Sequence, residues 1–202
     1  MSVRRLSLVA AVAMAGVVAA GCAEQSAGLR VGDETFSQSE VFDELDLISP
    51  LIDPDGQVTR GELADSYNQQ FVAGVLQQRI DFVLAEQIFE EQGLELTDAE
   101  RTASEDQLVA QFGQAWDALA EEDRAALVDD VARILVLQRE LGPAGFDGEL
   151  RQAKARSDIS VSSRFGRWDA ENLAVVPPAG PDRGPQSAEG LGLRDDAPSG
   201  QG

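Results

Sequence analysis

Three Ser/Thr-x-x-Glu tetrads, at Ser37 to Glu40, Thr59 to Glu62 and Thr97 to Glu100, each stand directly ahead of a stretch whose apolar residues recur every three or four positions. In such a tetrad the hydroxyl accepts from the glutamate N–H and the glutamate carboxylate accepts from the N–H of the first residue. Two donors left without partners at a helix start are thereby satisfied together. A chain punctuated this way is expected to fold into capped helices. The first tetrad predicts a short helix carrying Val41, Phe42, Leu45 and Leu47, ended by Pro50, Pro54 and Gly56. The second predicts one long helix to about Gln92, with Leu63, Tyr67, Phe71, Val75, Leu76, Ile80, Val83, Leu84 and Ile88 at helical spacing and Gly93 as its stop. The third opens a helix with Leu108, Val109 and Phe112 that breaks near Gly113.

Beyond it, Trp116 and Leu119 fall on a connecting turn or short helix. A further helix from about Glu121 carries Leu127, Val128, Val131, Ile134, Leu135, Leu137 and Leu141, and Gly142-Pro143 ends it. A polar, weakly amphipathic helix is expected from Phe146 to Ser157. Extended segments lie towards the two ends: Leu29 to Val31, a Gly32-Asp33 turn and Thr35-Phe36 early, then the alternating Ile159-Ser-Val161-Ser and Leu173 to Val176 late. The fold class predicted is mainly α with a small β element, formed by the N-terminal strand and a C-terminal return segment.

The sole cysteine, Cys22, follows Arg4-Arg5, an apolar run from Leu6 to Ala20, and Gly21. This layout resembles the signal peptide and lipobox of a bacterial lipoprotein, with Ala19 where leucine is usual. It implies a cleaved signal segment at 1–21 and an acylated Cys22. A tether is expected at 22–28 and a folded domain at 29–176, and because the chain after Pro177-Pro178 is rich in Pro, Gly, Ser and Asp with little to bury, a disordered tail at 177–202. The expected location is the extracytoplasmic face of the cell membrane. Attachment is through acyl chains, each buried methylene contributing about 0.8 kcal/mol.

The full chain has a formal charge of −20; without residues 1–21 it keeps 14 basic against 36 acidic residues, or −22. A field of that sign repels phosphate backbones, so nucleic acid is excluded as a partner. With no histidine anywhere, imidazole bases, Ser-His-Asp triads and histidine metal sites are excluded as well. Carboxylates alone would have to carry any hydrolysis, and an aromatic content of 5% leaves few platforms for sugar rings. No cofactor is called for.

Leu29 to Trp168 resembles the N-terminal domain of SurA/PrsA-type extracytoplasmic foldases. The resemblance lies in Val31-Gly-Asp-Glu-Thr-Phe36, the capped helix from Ser37, the run from Ile80 to Glu100 that passes from an apolar helix through Gly93-Leu-Glu-Leu96 into a capped Thr97, and the return segment Ile159 to Asp169 with its Arg-Phe-Gly-x-Trp-Asp pattern. It implies that the return segment pairs with the first strand. The chain departs from the family in lacking a parvulin domain: only Gly142 to Ser157 occupies that place, too few residues for an isomerase core. What the resemblance implies is a non-enzymatic, chaperone-like lipoprotein that holds unfolded or nascent exported proteins. The alternative is a structural or regulatory lipoprotein docking one dedicated partner.

Three sharper motifs have plainer readings. Asp53-Pro-Asp55-Gly56 through Glu62 imitates the later part of a calcium loop, but the first ligand place falls on Leu51, and a Pro/Gly turn explains the same residues. Neighbouring acids at Glu90-Glu91, Glu121-Glu122-Asp123 and Asp129-Asp130 diverge by about 100° on a helix and read as solvated faces. Trp116, Phe112 and Trp168 are candidates for a client groove, with core packing the expected role. No client-binding residue is assigned from sequence, nor is the oligomeric state.

Overall fold

The computed structural model describes residues 27–57, 59–61 and 66–178. Cys22, the predicted signal segment and all of the predicted tail after Pro178 lie outside the described residues. Elements follow in the order β1 (Ala27–Val31), β2 (Glu34–Ser37), α1 (Gln38–Ile52), α2 (Gln69–Glu91), α3 (Asp98–Phe112), α4 (Gln114–Asp117), α5 (Glu121–Leu141), α6 (Pro143–Arg156), β3 (Ile159–Val161), β4 (Arg167–Asp169) and β5 (Ala174–Val176). The protein is mostly helical with a small antiparallel sheet, as the tetrads and apolar spacing predict.

Helix α2 is the axis of the fold. Val72, Val75, Leu76, Ile80, Phe82, Val83, Leu84, Ile88 and Phe89 are all buried, so its apolar residues occupy most of its circumference rather than one stripe. Helices α1, α5 and α6 and strands β1 and β5 surround it, and α3 packs chiefly on α5. Two of the predicted capping boxes are present in full. Ser37 Oγ accepts from the Glu40 N–H at 3.3 Å while Glu40 Oε2 accepts from the Ser37 N–H at 2.7 Å, and Thr97 and Glu100 repeat the pattern at 3.3 and 2.8 Å.

The three-stranded sheet has the order β2-β1-β3. Strand β1 pairs with β3 in the register Leu29 to Val161, Arg30 to Ser160 and Val31 to Ile159, so the two ends of the domain meet as predicted. Leu29 and Val31 are fully buried, and Arg30 on the opposite face forms an ion pair with Asp158. A second hairpin, β4-β5, returns the chain to α2, where the Val175 N–H donates to Gln77 Oε1 at 3.0 Å. Gly166 permits that return: its φ is +147°, and a Cβ there would stand 2.5 Å from the Val176 carbonyl oxygen.

Two boundaries differ from expectation. Helix α1 continues through Pro50 to Ile52 because Ile48, Ser49 and Leu51 are buried, and tertiary packing offsets the backbone bond that a proline forfeits near the helix end. The long helix starts at Gln69 rather than after Thr59, with the Asn68 side chain accepting from the Gln70 N–H at 2.8 Å. Thr59 is buried instead. Its N–H donates to Asp53 Oδ2 at 2.8 Å, its hydroxyl meets Ser49 Oγ at 2.7 Å, and Arg60 bridges Tyr67 in an isolated antiparallel contact. Glu62 lies outside the described residues.

Candidate functional site

The ends of α1 and α3 and the facing sides of α2 and α5 enclose a groove of about 180 Å³. Its apolar lining is Ile48, Leu51, Ile52, Leu108, Phe112, Leu127 and Val131, and its polar lining is Gln78, Gln107 and Gln111. No charged residue lines it, in a chain where 26% of residues are charged. Ile52 is 55% exposed at its edge, the more exposed of the two large hydrophobic residues most open to solvent, the other being Val109 on α3. Water at this edge touches apolar side chains that another apolar group would cover favourably. The three glutamine amides carry donors and acceptors without net charge, which suits the backbone of an incoming peptide.

Of the three aromatic residues considered from sequence, only Phe112 lines this groove. Trp116 is buried to 1% exposure in the core, and Trp168 packs against the core from β4. Sequence reasoning missed Ile52, because a helix ended at Pro50 leaves it in a loop. It missed the glutamines because nothing in a single sequence marks which polar helix positions converge.

A second feature is a partly buried ionic cluster joining four elements. Arg79 on α2 donates from Nε to both carboxylate oxygens of Glu44 on α1 at 2.9 Å, lies 3.6 Å from Asp130 on α5, and places its guanidinium 5.7 Å from the Phe36 ring centroid. Arg133 reaches Asp130 at 3.1 Å and Glu86 at 2.9 Å. Burial pushes the Asp130 carboxyl up to about 6, against the opposing pull of Arg79 and Arg133. It raises Glu44 as well, and there too Arg79 works in the other direction. These two acids are displaced in the direction a catalytic carboxylate needs, yet Arg79 contacts both and neither lines this groove. The arrangement ties α1, α2 and α5 together.

The remaining sequence candidates are placed apart. Asp129 pairs with Arg101 at 2.8 Å while its neighbour Asp130 turns inward, so the adjacent acids diverge. Glu91 pairs with Arg156 at 3.0 Å. Glu121, Glu122 and Asp123 occupy the first turn of α5, whose Ala120 N-cap supplies no side-chain acceptor, and there they offset the positive helix end. Asp53, at the first acid of the calcium-like run, directs a carboxylate oxygen at Thr59, and no group of three metal-ligating side chains occurs among the described residues. No helix among the described residues is long and apolar enough to cross a membrane.

No protein-family model, curated protein or solved structure matches this chain.

Proposed function

We propose that this chain is a membrane-anchored extracytoplasmic lipoprotein, tethered by acylated Cys22, that holds exposed apolar segments of exported polypeptides without catalysing a reaction on them. The observation that carries the reading is the charge-free apolar groove with Ile52 open to solvent at its edge, within a strongly acidic molecule. Burying one apolar client side chain there contributes about 1.5–3 kcal/mol. Binding is then weak, broad and quickly reversed, as holding requires. The net negative charge favours basic or neutral clients and keeps copies of the protein apart.

The SurA/PrsA-type resemblance supports this reading through two features. The first strand pairs with the return segment at Ile159, and the slot between the last long helix and that segment is filled by α6 alone, where the family's isomerases carry a parvulin domain. The test is aggregation of several unrelated chemically unfolded proteins in the presence of the chain. Suppression of most of them, reduced by Ile52→Glu, is the expected result. Activity on none, together with tight association with one protein, would favour the docking of a dedicated partner.

A further inference from the structure

A different groove, of about 220 Å³, opens between α1, the start of α2 and the loop before β4. Three rings, Phe42, Tyr67 and Phe165, form its walls, and Phe42 meets Phe165 edge to face with centroids 5.3 Å apart. Arg164 lies over Phe42 at 4.8 Å from the ring centroid. Its guanidinium hydrogen-bonds Gln38 Oε1 at 3.2 Å, and no carboxylate among the described residues forms an ion pair with it. Pro178, the last described residue, also lines the groove.

We propose that this groove is a docking site for a proline-containing extended segment, and that its occupant is the chain's own continuation, residues 179–185. That segment reads Ala-Gly-Pro181-Asp182-Arg-Gly-Pro185. In a polyproline helix three residues make one turn of about 9 Å, a spacing that would set Pro178 and Pro181 on one face of the docked segment. Aromatic-lined grooves accept such faces because proline's fixed φ leaves little backbone freedom to lose. Asp182, beside Pro181, supplies a carboxylate of the sign that Arg164 attracts. Attachment through Pro178 gives the segment an effective concentration of about millimolar, so a weak groove is filled in cis. The consequence is a self-covered aromatic surface, separate from the groove beside Ile52, which stays open for clients.

The test uses the full chain carrying the photoreactive residue benzoylphenylalanine at Gln69, an exposed lining position. Irradiation is expected to give an intramolecular cross-link that fragmentation mass spectrometry assigns to residues 179–185. Arg164→Glu should lower its yield about fivefold, the upper range for an exposed charge contact. Adding Asp182→Arg to Arg164→Glu should restore it, which a merely structural role for Arg164 would not. If Arg164→Glu fails to fold, Asp182→Arg alone gives the same loss from the other side. Cross-links only to a second copy or to another polypeptide, none within 179–185, or a yield indifferent to both charge changes would overturn the proposal.

Discussion

Val31 and Ile159 face each other across adjacent antiparallel strands, both buried, although nearly the whole helical body lies between them in sequence. The contact closes the domain end to end. Ile159→Ala should cost about 2–5 kcal/mol through lost burial and a residual cavity. The denaturant midpoint checks this, and an unchanged midpoint would mean that the end-to-end seam contributes nothing.

Gly166 allows the β4-β5 hairpin to return to α2. Gly166→Ala forces either the φ of +147° or the 2.5 Å approach to Val176 to give way, at a cost of about 1–3 kcal/mol. Amide exchange should quicken at Val175 and Val176 while α2 keeps its protection.

How much of this was legible in the sequence differs by element. Ser37 and Thr97 announced their helices because a capping box is a local device, complete within four residues. Thr59 carries the same signature but does not open the long helix, and Asp53 and Ser49 take its N–H and hydroxyl from outside the tetrad. Pro50 looks like a stop in sequence because the burial of Leu51 that carries the helix past it is tertiary. The groove was the least readable feature. Ile52, Gln78, Gln107 and Val131 come from four helices, and their convergence depends on packing angles that apolar spacing does not encode.

Arg79 neutralises two acids from two other helices. Arg79→Met leaves Glu44 and Asp130 without that partner in a partly desolvated setting and should cost about 3 kcal/mol. The urea midpoint should fall, and most steeply near neutral pH, where both acids are ionised.

Asp130 gives the fold a pH dependence of defined sign. Its folded pKa is raised from 3.8 to about 6, so the folded state holds the proton more tightly than the unfolded chain does. Its contribution is fully present below about 3.8 and is lost as pH rises through about 6. The stability of the wild type relative to Asp130→Asn should therefore decrease between those two values, by on the order of 2 kcal/mol. Paired denaturation curves across that range check it, and a difference that grows with pH would contradict the assignment.

Direct binding tests the central claim, that the charge-free groove takes apolar segments of unfolded chains. Fluorescence anisotropy of a labelled, permanently unfolded neutral polypeptide should be compared for the wild type and Ile52→Glu, with melting temperatures measured in parallel. The predicted result is affinity at least about tenfold weaker at unchanged melting temperature, since about 1.4 kcal/mol of apolar contact at the groove edge is replaced by a charge. Equal affinity for the two proteins would contradict the account.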